Sequence, residues 1–362
     1  MSIGSIIGGI LGAIVGFIYG GPVGAAYGFV IGFGLGMVVD PMMPDISQAG
    51  VPIQQLQMPD NTIGVVIPDV LGTAKIAGTF LCFGQERVDP QYAEESGSKG
   101  GGSGDPQVTG YKYYMSWAQG ICLGPVGTLY SIYKNNDELI WSGELLCPVS
   151  GGKETIVLPD YGSITFYFGT DDQGTDATVG AIIGDATLNS PLRGLCYAVM
   201  NDFYIGDYNR CPALKFVLKK TQTIPELPED NTIGDYDYNP AQALWYIFNN
   251  MVGLPAEWLH TASFAAVAAT LKSEALGISV CFDQHQTALT YLEAINSHVD
   301  NIIKYGNDGK FHLKLIRGDY DAPTLPLIDE NIVLEDPAMT RKSWIDTINE
   351  IKVQYSEIYR VE

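Results

Sequence analysis

The chain has 362 residues, 46% apolar and 11% aromatic, enough for more than one core, so two or three folding units are expected. Its 41 acidic against 20 basic residues give a formal charge of −21. That excludes nucleic-acid binding by phosphate neutralisation, which needs clustered Lys and Arg.

The first element is announced by glycine. Gly4, Gly8, Gly12, Gly16, Gly20, Gly24, Gly28, Gly32 and Gly36 recur at every fourth position, and no charged residue precedes Asp40. Four residues is close to the 3.6-residue turn, so the glycines form a slowly drifting helical stripe that a second backbone can approach closely. Each glycine costs about 1 kcal/mol in a helix relative to Ala, which close packing has to offset. Gly20-Gly21-Pro22 breaks the run, predicting two helices of roughly 16–18 residues folded as a hairpin over residues 1–40. That length is at the short limit for crossing a bilayer, and no flanking Lys or Arg fixes a membrane topology. Packing inside a protein assembly and membrane insertion at a late stage are both open, and mutually compatible. A signal peptide reads poorly, because the basic start is missing and the apolar run is too long.

Residues 41–63 read as an extended linker. From Ile63 to Lys220 the pattern is that of short strands. Tyr111, Tyr113, Met115 and Trp117 alternate with Lys112, Tyr114, Ser116 and Ala118, the period of a strand with one packed face. Leu129–Tyr133 and Glu138–Trp141 flank Asn135-Asn136-Asp137, a hairpin signature. Ile164, Phe166 and Phe168 alternate again, as do Leu214, Phe216 and Leu218. Such regular short strands predict a barrel or sandwich. Residues 93–106, rich in Gly and Ser, are expected to form a flexible loop between strands.

Residues 221–238 are rich in Pro and acidic residues and read as a domain linker. Asn239-Pro240 then opens a helix with apolar positions Ala241, Leu244, Trp245, Phe248 and Met251, ended by Gly253. A second helix is expected from Ser263 to Gly277 through Phe264, Val267 and Leu271, and a third from Thr287 to Val299. Ile302–Tyr305 and Phe311–Leu315 flank Asn307-Asp308-Gly309, a second hairpin. Ile348–Tyr355 reads as a further strand.

Candidate chemistry is sparse. Cys82, Cys122, Cys147, Cys196, Cys211 and Cys281 show no metal-ligand spacing, and most read as buried thiols without a disulfide framework. Of the four histidines, His312 is expected on an exposed strand face, with His260 and His298 at helix ends. Cys281 with His285 offers a thiol–imidazole pair, but no nucleophile turn surrounds it. Asp171, Asp172 and Asp176, like Asp235 and Asp237, lack the Gly and terminal Glu of a calcium loop and read as turn chemistry. No catalytic residue, cofactor site or metal site is therefore assigned, and the site residues named are the nine glycines, as helix-packing or membrane-inserting positions.

Several segments, read in order, resemble the tail hub (tail tip, host-specificity) proteins of long-tailed bacteriophages and gene transfer agents. They are GTAKIAG at 72–78, YKYYMSWAQGICLGPV at 111–126 with its Cys-x-Gly-Pro turn, and SITFYFGTDDQ at 163–173 with its Gly-to-Gln turn. LRGLCYAVMNDFYIG at 192–206 and NPAQALWYIFNNMVGLP at 239–255 follow, with Leu192 standing where an aromatic is expected. The resemblance covers residues 64–355. It implies an α+β, β-rich architecture: the glycine-zipper hairpin, a tube-like β-barrel domain over 64–220, a smaller α+β domain over 221–347, and the start of a second β-barrel at 348–362. It further implies a homotrimeric ring at the distal end of a tail that caps the tube and opens for DNA ejection. The partners implied are a distal tail protein ring, the tape-measure protein, other tail-tip and receptor-binding proteins, and the host membrane through residues 1–39. DNA would pass the acidic lumen without specific binding. Two other readings stay beside it: a membrane-active pore-type protein using the glycine zipper, and a cell-wall-degrading enzyme.

Overall fold

A computed structural model describes residues 65–92, 108–135, 137–207, 210–227, 231–318 and 320–327, with 350 and 352. The glycine hairpin of 1–40, the linker 41–63, the loop 93–106 and, apart from 350 and 352, the second barrel expected from 348 lie outside the described residues. The strands are β1 (Asp69–Ala77), β2 (Thr79–Tyr92), β3 (Val108–Leu123), β4 (Thr128–Lys134), β5 (Glu138–Leu146), β6 (Lys153–Leu158) and β7 (Gly162–Tyr167). Helix α1 (Ala177–Ile183) precedes β8 (Leu195–Gly206) and β9 (Leu214–Lys220). A two-residue ribbon follows, β10 (Thr232–Ile233) with β11 (Asp237–Tyr238), then α2 (Pro240–Tyr246), which runs on as a π-turn over Ile247–Met251. The remainder is α3 (Thr261–Ser273), β12 (Val280–Phe282), α4 (Ala288–Val299), β13 (Asn301–Tyr305) and β14 (Phe311–Leu315).

The chain divides into two compact units. Of the described residues, one holds 86–92, 108–114, 205–207 and 210, and the other holds the rest. In the first, Tyr113 and Ile205 are buried, the Arg87 guanidinium lies 3.9 Å over the Tyr114 ring, and Arg87 pairs with Asp89.

Two five-stranded sheets are present, in the orders β12-β1-β9-β4-β5 and β2-β3-β8-β7-β6. In the first, every pairing is antiparallel, with Gly72 opposite Lys220 and both Ile76 and Ile132 opposite Phe216. The expected barrel is not closed among the described residues: each sheet ends on edge strands. Charged residues on β5 and β6 (Glu138, Glu144, Lys153, Glu154) suit solvent-facing edges, because charge on an edge resists further pairing.

In the larger unit the sheets meet through apolar side chains on alternate positions. Phe166 of β7 and Phe216 of β9 have ring centroids 6.1 Å apart, while within the second sheet Trp117 of β3 packs edge-on to Phe203 of β8 at 5.3 Å. The one-faced reading of β3 is too simple, since Met115 to Cys122 are all buried. On its second face Ala118 joins Tyr167, Val179, Tyr197 and Val199 in a smaller core, so α1 covers the side expected to be open. That helix was not expected. Its sequence ATVGAII has a glycine inside, and it stands on the Asp176 cap, whose carboxylate accepts the Thr178 and Val179 N–H groups.

The helical part is built around Trp245, Phe248, Phe264, Leu271, Ile295 and Leu313. Trp245 meets Phe264 edge-on at 5.1 Å. Burying each such aromatic side chain stabilises by roughly 1.5–3 kcal/mol. Asn239 does two things at the start of α2: Oδ1 accepts the Ala241 N–H at 3.1 Å, and Nδ2 donates to the Ala268 carbonyl of α3 at 3.0 Å. The segment read as a linker is packed instead. Ile224, Leu227, Ile233 and Tyr238 belong to this core, and Leu71 of β1 joins them. Helix α3 begins at Thr261 rather than Ser263 and ends at Ser273, four residues before Gly277. Gly277 is needed for another reason, as a Cβ there would overlap the Asp237 side chain.

Candidate functional site

Two of the sequence segments that carry the resemblance end in turns and a third opens with one, and the larger unit brings those three turns together. β3 ends at Leu123, so Gly124 starts its turn; β7 ends at Tyr167, ahead of Gly169; β8 begins after Gly194. The Gly124 N–H donates to the Gly194 carbonyl at 2.8 Å, and the Val126 N–H to the Phe168 carbonyl at 2.8 Å. Gly124 and Gly169 touch backbone to backbone: a Cβ on Gly124 would lie 2.5 Å from the Gly169 Cα, and one on Gly169 2.6 Å from the Gly124 Cα. Neither position accepts a side chain. Gly169 and Gly194 also have φ of +82° and +78°, a region that favours glycine.

Gln173 ties the Gly169 turn to the Gly194 turn. It is fully buried; its Oε1 accepts the Gly169 N–H at 3.0 Å, and its Nε2 lies within 3.3 Å of the Pro191, Leu192 and Leu195 carbonyls. Leu192, where an aromatic was expected, has φ of +49°, which is costly for a branched side chain. Beside it, Lys220 donates to the Leu123 carbonyl at 3.1 Å and to Asp69 at 2.5 Å, with both charges buried. The Tyr246 hydroxyl donates to the other Asp69 oxygen at 2.6 Å, and burial with the nearby carboxylate pushes that phenol up. This ion pair joins β1, β9, the end of β3 and α2. The arrangement ties these strands and the helix to one another.

A second cluster lies at the start of α3. Leu259 bridges Phe311 in parallel, and the His260 N–H donates to the Phe311 carbonyl at 2.9 Å. The following residues therefore sit side by side, and the His260 and His312 rings stack with centroids 4.1 Å apart. His312 Nε2 lies 2.9 and 3.0 Å from the two oxygens of Asp308 in the β13–β14 turn. The hydrogen bond from His312 holds the Asp308 carboxyl below the usual aspartate range. His260 caps α3, its Nδ1 accepting the Ser263 N–H at 3.2 Å. Sequence reading placed these histidines at a helix end and on an exposed strand and did not bring them together. The only local signal was the i, i+4 pair Asp308 and His312.

The remaining candidates fall elsewhere. Gly4, Gly8, Gly12, Gly16, Gly20, Gly24, Gly28, Gly32 and Gly36 lie outside the described residues. Burial pushes the Cys281 thiol up to about 12, so it stays protonated at neutral pH, the opposite of an activated nucleophile. All six cysteines are free, and Cys122, Cys196 and Cys211 are buried. Asp172 closes a turn, accepting from the Thr170 hydroxyl and the Gly151 N–H, each at 2.7 Å. Asp237 accepts the Ser279 hydroxyl at 2.7 Å, and the Asp235 carbonyl accepts Lys219 at 2.5 Å. No helix among the described residues is long and apolar enough to cross a membrane.

No protein-family model matches the chain, and neither does any curated protein. Among solved structures it is similar to a chain described as "Virion of native gene transfer agent (GTA) particle", at 15% identity with a TM-score of 0.43. The match covers 84% of this chain and 63% of that one, so this chain spans less than two thirds of its neighbour's length.

Proposed function

We propose that this chain is a structural tail hub: a homotrimeric ring at the distal end of a phage-type tail that caps the tail tube and opens for DNA ejection. The observation that carries the reading is the junction of Gly124, Gly169, Gln173 and Gly194. The Cys-x-Gly-Pro, Gly-to-Gln and Arg-Gly segments behind the sequence resemblance meet at one contact, which supports reading them as parts of one construction. A rigid, strand-rich scaffold with its turns locked by backbone hydrogen bonds suits a load-carrying ring. The charge of −21 suits a lumen along which DNA slides without binding, the inverse of counterion-release attraction. On this reading the ring contacts the distal tail protein, the tape-measure protein and receptor-binding components, and residues 1–39 close the channel or enter the host envelope.

The uncharged start of the chain also favours a second reading, a membrane-active protein that inserts through its glycine stripe. Light scattering on the full-length chain separates the two. The hub reading expects a trimer mass without detergent, whereas a monomer that stays soluble only with bound detergent would support insertion.

A further inference from the structure

The cluster at the start of α3 carries an inference independent of the hub reading. We propose that His260, Asp308 and His312 form a binding site for a divalent transition-metal cation of the zinc type, held by two imidazole nitrogens and one carboxylate oxygen. One ligand atom from each residue lies within 4.8 Å of the other two. Ligands about 2.0–2.2 Å from a tetrahedral ion are roughly 3.3–3.5 Å apart, so a modest adjustment suffices. His312 Nε2 and Asp308 Oδ1, now 2.9 Å apart, have to part by about half an ångström and give up their hydrogen bond, and the His260 ring has to turn out of its stack. The turn leaves no orphan, because the Ser263 N–H also reaches the His260 carbonyl at 3.0 Å.

Three further features fit a cation. Gly306 keeps the space beside the ligands open: a Cβ there would lie 2.5 Å from both Asp308 Oδ1 and His312 Nε2. The Asp308 side chain is 41% exposed and that of His312 20%, so water can complete the coordination. The donor set, imidazole with carboxylate, is one that zinc, nickel and iron(II) accept and that calcium or magnesium would not choose. The ion would add a clamp between the start of α3 and the β13–β14 hairpin, already joined here by the backbone bond from His260 to Phe311 and by the Leu313 N–H to Ser263 Oγ.

The test is a titration of the chelator-treated full-length chain with Zn²⁺, read by imidazole nitrogen NMR and by equilibrium dialysis. One ion per chain is expected, with two of the four histidines, His260 and His312, shifting while His285 and His298 stay put. Asp308→Asn keeps the turn chemistry of the hairpin and should weaken binding about tenfold or more, as should His312→Gln. Binding unchanged in both variants, shifts confined to His285 or His298, or no bound ion at micromolar Zn²⁺ would each overturn the site.

Discussion

Lys220 is a cation that water scarcely reaches, and its surroundings decide what its removal would do. Its ammonium is satisfied by Asp69 and the Leu123 carbonyl, and Asp69 in turn by Lys220, Tyr246 and the Val70 N–H. Lys220→Met leaves the Asp69 carboxylate buried without its countercharge, and a loss of about 3–5 kcal/mol in denaturant unfolding is expected. Asp69→Leu combined with Lys220→Met should recover much of that loss, because a buried pair contributes less than breaking it costs. Additive losses in the double variant would show that the two residues act independently. At the turn junction the constraint is space, not charge. Gly124→Ala forces a methyl into the Gly169 backbone, and destabilisation of about 1–3 kcal/mol is expected, against a few tenths for Gly174→Ala, which meets nothing. Gly124 and Gly169 stood in the sequence as parts of separate motifs. That they touch was illegible, since backbone contact between them leaves no trace in local composition.

Among the elements, those specified by their own residues were legible and those specified by a neighbour were not. Asn135 and Asp137 take φ of +51° and +69°, and the hairpin they imply pairs Lys134 with Glu138. Asn239-Pro240 and Thr287 start helices where their cap chemistry says they should. By contrast, β12 is only three residues long and exists because β1 offers an edge, with Leu71 opposite Val280. The 221–238 segment looked like a linker because it is rich in Pro and acidic residues, yet its few Ile and Leu are what the core takes up. The β4–β5 turn also sets a pH dependence. Hydrogen bonds from Lys75 and then Lys215 hold the Asp137 carboxyl below its usual value of 3.8. A carboxyl depressed on folding stabilises above its unfolded pKa, and that contribution fades as pH falls through the folded one. The stability gap between the native chain and Asp137→Asn should therefore be present at neutral pH and shrink below about pH 4. A gap that is constant with pH would remove the ion pairs from the account. Asn tolerates the positive φ, so backbone strain does not obscure the comparison.

For the molecule as a whole, the β-rich α+β character followed from hydrophobic alternation, while sheet closure could not. Alternation records which face is buried, not whether the last strand meets the first, and here each sheet has one charged edge, β5 or β6. The His260–His312 contact was hidden for a similar reason: it depends on one parallel bridge between distant segments. The hub proposal rests on how turns that are remote in sequence converge, and on an acidic balance suited to a channel for DNA. Its central claim is threefold assembly around a hole. Negative-stain imaging of the full-length chain in detergent-free buffer, with class averages along the symmetry axis, tests that most directly. The account predicts a three-lobed ring with a central opening or an axial plug; single, ringless particles of monomer size at all concentrations would contradict it.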